Sequence, residues 1–211
     1  MKLKHITFTG VDIHTDLKAL KEIQNEYPYV EWGILMSKNW RENGPRYFNP
    51  EGLLKLRRRD LNLSCHLCGS VARDVVRNSW VGAFNLTCGR FKMFQRCQIN
   101  VSGQQSSERT QFVRTPVFLH ELIIQQKSDA ELTIFNAIND RRNISVLLDA
   151  SGGRGIDTPI KPLNIPGLKV GYAGGINPEN VAEKLSFLME NEQVGEFWID
   201  MESGVRTDDL F

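Results

Sequence analysis

Eight short runs of aliphatic and β-branched residues recur along this chain, and most are followed by a turn and a helical pattern. The runs span residues 4–8, 30–36, 61–67, 93–101, 121–125, 144–148, 169–173 and 196–201. Several show almost no alternation of polar and apolar residues, as in Ile144-Ser-Val-Leu-Leu148. Such runs suit strands buried on both faces of a parallel sheet. Helical patterns fall between them. Residues 16–26 place Leu17, Leu20 and Ile23 on one face. Residues 50–59 open after Asn49, a good cap, with Leu53, Leu54 and Leu56 expected to point inward. Residues 128–140 and 178–190 repeat the pattern, 71–78 is shorter, and 106–114 is weak.

Strands alternating with helices argue for an α/β fold with parallel strands. Eight strands in 211 residues fit a (β/α)8 TIM barrel as one domain over residues 1–211. An open doubly wound sheet is the alternative. Little chain follows Gly204, so the last helix is expected to be missing or cut short. In either fold, ligands sit at the carboxyl ends of the strands.

Composition narrows the function classes. Lys and Arg number 26 against 25 Asp and Glu, a net charge of +1. Nothing here has the basic excess that neutralises nucleic-acid phosphates. No apolar run approaches the roughly 18 residues of a membrane span. The start, Met-Lys-Leu-Lys-His, lacks the apolar core of a signal peptide. The expectation is a cytoplasmic protein with reduced cysteines and a small-molecule phosphosugar ligand, with a homodimer as a candidate assembly. The pair Cys65 and Cys68 stands three residues apart on a strand, which points the thiols to opposite faces. With no closed set of four ligands, neither a metal nor another cofactor is expected.

The strand ends carry the chemistry. Glycines cluster after the last three strands, in Gly152-Gly-Arg-Gly155, Gly174-Gly175 and Ser203-Gly204. Backbone amides approach a phosphate closely in such loops, and Gly174-Gly175 stands before a helix start. The segments Ala173-Gly-Gly-Ile-Asn-Pro-Glu-Asn-Val181, Ile199-Asp-Met-Glu-Ser-Gly-Val205, Leu147-Leu-Asp-Ala150 and Pro45-Arg-Tyr47 resemble the strand-end motifs of phosphoribosylanthranilate isomerase, a (β/α)8 barrel of tryptophan synthesis. The likeness runs in order along nearly the whole chain and is loosest between residues 60 and 140.

The resemblance implies an Amadori isomerisation, in which an aminoaldose phosphate becomes an aminoketose phosphate. A general acid protonates the ring oxygen, and a base removes the C2 proton. It assigns Asp149 as the acid and Arg46 as the clamp for an anthranilate carboxylate, with Gln98 among the substrate contacts. Gly153, Gly155, Gly174, Gly175, Asp200, Ser203 and Gly204 fall in its phosphate loops. Thr9 falls at the base position, where the family has cysteine. A threonine hydroxyl does not ionise in the accessible range, so another base is needed. Asp12, His66 and Cys68 are the candidates. The plainer readings are a loop or cap carboxylate for Asp12 and a core or rim histidine for His66. The family's strand-4 histidine is Asn100 here. Trp40, in the loop that carries Arg46, either stacks on a ligand or covers the barrel mouth. A phosphosugar-binding barrel that has lost the parent activity is the alternative function.

Overall fold

The computed structural model describes residues 2–42, 44, 46–57, 59–77, 79–100, 119–127, 143–152, 154–163, 167–191, 195–207 and 211. Eight parallel strands close on themselves in chain order: β1 (Lys2–Thr9), β2 (Val30–Met36), β3 (Leu63–Leu67), β4 (Arg96–Ile99), β5 (Glu121–Gln126), β6 (Ile144–Asp149), β7 (Lys169–Ala173) and β8 (Glu196–Met201). Parallel pairing of β1 with β8 completes the barrel. Helices α1 (Leu17–Glu26), α2 (Leu53–Arg57), α3 (Gly69–Val76), α4 (Val81–Leu86) and α5 (Val181–Asn191) fall between strands. The fold is therefore the α/β barrel expected from the alternation. The helical patterns at 106–114 and 128–140 lie outside the described residues.

Every residue of β2, β3, β4 and β6 is buried, the polar Glu31, Ser64, His66, Arg96 and Gln98 included, as strands covered on both faces require. One face packs outward against the helices. Ile34, Leu63, Ile99, Val146 and Ile199 meet Leu20, Leu53, Val71 and Leu188 in one large core. The other face fills the barrel interior, where Ile123, Leu147 and Trp198 form a smaller cluster. Gly171 makes room for it, because a Cβ there would collide with the Trp198 ring.

Local corrections have local causes. α1 is capped by the Asp16 carboxylate, which accepts from the Lys18 and Ala19 amides, but Ile23 is exposed. Asn49 does cap through the Gly52 amide, yet regular helix begins only at Leu53, and Leu54 points to solvent while Leu53 and Leu56 are buried. The apolar run at 93–101 is not all strand. Phe91–Met93 is a 3-10 turn that buries Phe91, and β4 starts at Arg96. α3 begins two residues before the expected 71, and α4 was not expected, since Gly82 sits inside it.

The lower half of the barrel interior holds a charged network. Arg96 donates from Nε and Nη2 to the two Glu31 carboxylate oxygens at 2.8 and 2.6 Å. Thr7 donates to the same carboxylate at 2.9 Å, and Glu121 stands 3.5 Å from the guanidinium. The Trp198 ring covers Arg96 at 4.5 Å. Burial pushes Glu31 upward, but the Arg96 charge and hydrogen bonds override it and hold its carboxyl at about 2.

Candidate active site

The carboxyl ends of the strands surround a cavity of about 310 Å³. Its wall is built from the last inward residue of several strands and the loop that follows each. Gln98 comes from β4 and Asn100 directly follows it, Gln125 comes from β5, Asp149 from β6, Ala173 from β7 and Asp200 from β8. Gly152, Gly155, Gly174, Gly175, Ser203 and Gly204 line one side, and Leu35, Arg46, Tyr47, Cys68, Arg73 and Glu202 line the other.

Asp149 is buried at the base of the glycine side. Its Oδ2 accepts from Gln125 Nε2 at 2.8 Å, and its Oδ1 accepts from the Ser151 amide at 3.1 Å and hydroxyl at 2.7 Å. Three donors fix the carboxyl in one orientation toward the cavity. The Gln125 carbonyl oxygen is buried with no hydrogen-bond partner among the described residues, and Gln125 lines the cavity.

Asp200 is a buried interior carboxyl on β8, and Thr9 Oγ1 donates to its Oδ1 at 2.7 Å. Gly33 on the neighbouring strand permits this, since a Cβ there would strike the Thr9 hydroxyl. Burial pushes the Asp200 carboxyl up to about 8. The Thr9 hydrogen bond opposes the shift, and the charges of Glu202 and Glu31 add to it. Asp200 thus lies inside the cavity against Thr9, with its carboxyl held well above the usual carboxylate range.

None of the three base candidates read from the sequence fits that role. Asp12 is buried away from the cavity, where it accepts from Arg206 Nη2 at 3.2 Å and from the His14 amide and the Thr15 hydroxyl. It ties the β1 loop to the segment after β8. His66 lies below the cavity, with Nε2 2.9 Å from Ser64 Oγ and Nδ1 4.0 Å from Asp200. Burial holds its imidazole down to about 4, so it is neutral at pH 7, and 4.0 Å is too long for a hydrogen bond. Cys68 does face the cavity and receives a hydrogen bond from Asn100, but burial pushes its thiol up to about 12. Cys65 points instead into the outer core beside Met36, as its spacing from Cys68 requires.

The glycine loops converge, apart from Gly153, which lies outside the described residues. Gly155 packs on Ser203, which joins the loops after β6 and β8. Gly174 and Gly175 adopt φ of 108° and 66°, backbone that L side chains avoid, and their Cα atoms lie against Thr158 and Asp157. The helix-start expectation is revised. α5 begins only at Val181, and Asn177 Oδ1 already accepts from the Glu179 and Asn180 amides. An anion here would therefore meet loop amides rather than the helix terminus.

Arg46 stands at the opposite rim, where its Nη1 lies 3.3 Å from Glu202 Oε1. Trp40 packs against the outer core under the Arg41 guanidinium and does not line the cavity. Gln98 donates to Asn100 at 2.9 Å. Gln125, Glu202 and Arg73 escaped the sequence reading. Gln125 had a signal, being a polar residue at an inward position of an otherwise apolar strand.

Fold and cavity together define a (β/α)8 barrel with a polar ligand site at the strand ends. No protein-family model matches the sequence, and no curated protein matches it. Among the described residues no helix is long and apolar enough to cross a membrane.

Proposed function

We propose that this chain is an aldose–ketose isomerase acting on an N-substituted phosphoribosylamine or a closely related phosphosugar, by the reaction type of phosphoribosylanthranilate isomerase. The observation that carries the proposal is the pair of buried carboxyls, Asp149 and Asp200, facing one cavity edged by glycine loops. Their surroundings differ, since Asp149 accepts from Gln125 and Ser151 and Asp200 accepts from the Thr9 hydroxyl; the acid's role for Asp149 is the one the resemblance implies.

The phosphate rests on the amides of the loops at 152–155, 174–175 and 203–204. Asp149 delivers a proton to the furanose ring oxygen, the ring opens, and the nitrogen lone pair forms an iminium to C1. Asp200, as carboxylate, takes the C2 proton, and the C2–H electron pair becomes the enamine double bond. Tautomerisation of the resulting enol gives the ketose. Product and substrate are isomers, so no oxidant or reductant enters. A carboxyl at about 8 is close to the roughly 8.5 of an ordinary thiol, which lets it serve where a cysteine would. Thr9 holds it by donating a hydrogen bond and cannot itself be the base.

The test is turnover of fluorescent N-aryl phosphoribosylamines, phosphoribosylanthranilate among them, across pH. The rate kcat/KM should rise with pH and level off above about 8 as Asp200 ionises. A rate that falls through the same pH gives Asp200 the donor's role and Asp149 the acceptor's. Ribulose 5-phosphate binding with no turnover of any such substrate favours the second reading, a phosphosugar-binding barrel. That reading draws on Thr9, which leaves the usual base position without an ionisable group.

A further inference from the structure

The side of the cavity away from the glycine loops carries a feature that the isomerase reading does not use. Arg46, on the loop after β2, already faces an anion of the chain itself. Its guanidinium meets Glu202, the residue directly after β8, at 3.3 Å, and both side chains are about 30% exposed where they line the cavity mouth. Glu202 therefore puts a carboxylate beside the position that a ligand carboxylate on Arg46 would take. Its charge is felt across that side. After burial, it helps raise the Tyr47 hydroxyl and the Cys68 thiol, both to about 12. It also adds to the shift of Asp200.

A donor and an acceptor fixed side by side recognise a planar group with the reverse pattern. An amide fits: its carbonyl accepts from Arg46, and its NH₂ donates to Glu202. A carboxylate offers two acceptors and no donor. One of its oxygens would face Glu202, and such a repulsive element discriminates between ligands as strongly as an attractive one. We propose that Glu202 and Arg46 act together as the specificity-determining pair, and that the substrate carries a neutral planar amide, such as a carboxamide, on its amine half rather than a carboxylate. This rests on the phosphosugar reading of the same cavity. Arg73, exposed at the rim, has no ion pair among the described residues and is the competing clamp for a carboxylate.

Calorimetric titration with two ketose phosphates tests it. The probes are 1-(2-carbamoylphenylamino)- and 1-(2-carboxyphenylamino)-1-deoxyribulose 5-phosphate, which differ only by NH₂ against O⁻. Ribulose 5-phosphate, the half they share, is the control. The carbamoyl compound should bind at least tenfold more tightly than the carboxy compound. Glu202→Gln should reduce that preference to less than threefold while binding ribulose 5-phosphate as the wild type does, which also reports that the variant is folded. Equal or tighter binding of the carboxy compound by the wild type overturns the proposal and gives the clamp to Arg73 or Arg46. An unchanged preference in Glu202→Gln overturns it as well. Binding of ribulose 5-phosphate with no gain from either aryl amine sinks the amide inference alone. Failure of ribulose 5-phosphate itself to bind sinks the phosphosugar reading first, and the amide inference with it.

Discussion

The two ends of the barrel interior treat buried charge in opposite ways. In the lower half, Glu31 meets a guanidinium through two hydrogen bonds, a threonine hydroxyl fills a further lone pair, and Trp198 covers the cation. In the upper half, Asp200 has one hydroxyl donor, from Thr9, and a neutral histidine 4.0 Å away. Both carboxyls are buried, yet one is held at about 2 and the other at about 8. Desolvation acts on both, and the presence of a contacting cation decides the direction. A paired charge at the amino ends fixes the interior. A carboxyl without a contacting cation at the carboxyl ends keeps a proton that can be exchanged near neutral pH.

Variants can break this contrast, beginning with the largest effect. Asp149→Asn and Asp200→Asn should each lower kcat by about 10³-fold or more, the scale of general acid–base catalysis, with ribulose 5-phosphate binding retained. Turnover within tenfold of wild type in either variant would remove that carboxyl from the chemistry. Next, Arg96→Met leaves Glu31 buried without its cation and should cost about 3–5 kcal/mol of unfolding free energy in urea titration. Adding Glu31→Gln should recover a large part of that loss. If the double variant is as unstable as the single one, packing around Trp198, and not charge, is what Arg96 supplies.

The pH dependence of stability should differ in sign between the two ends. Glu31 is lowered from its ordinary 4.5 to about 2, so its contribution is complete above 4.5 and is lost as pH falls toward 2. Asp200 is raised from 3.8 to about 8, so the fold loses stability as pH rises between those values. Asp200→Asn removes that loss. Its Tm should exceed that of wild type by a margin that widens from pH 5 to pH 9 and reaches at least about 4–8 °C, equivalent to roughly 2 kcal/mol. Equal Tm values at pH 9 would mean that Asp200 is ionised throughout. The smallest effect belongs to Thr9→Val. Loss of its hydrogen bond, worth about 1 kcal/mol, should move the rise in kcat/KM upward by about 0.7 pH unit. A downward move would contradict Thr9 as the donor.

Much of the architecture was legible because parallel barrels leave a one-dimensional trace. Runs such as Ile144-Ser-Val-Leu-Leu148 are apolar on both faces, and turns and helices punctuate them, so eight strands could be counted. Boundaries were less legible. Leu54 and Ile23 match a helical stripe but face solvent, because a short helix on a curved barrel buries a narrower face than its sequence offers. Asp149, Arg46 and the glycine loops were found from their position at strand ends, and the structure brings them around one cavity. Asp12 and His66 are candidate bases by side-chain type, and tertiary contacts make them a loop tether and a neutral interior residue, in line with the plainer readings of both.

The sequence by itself determined the parallel α/β alternation, the count of strands and the end of the barrel where polar groups collect, since these follow from periodicity and from which residues terminate apolar runs. Only the tertiary structure decided which carboxyl faces Thr9, that Arg46 is matched by Glu202, and that Arg96 neutralises Glu31 across the interior. Closure of β8 on β1 brings together residues separated by almost the full length of the chain. Electrostatic environment depends on those distances and on exclusion from water, and neither quantity is written in the local order of residues.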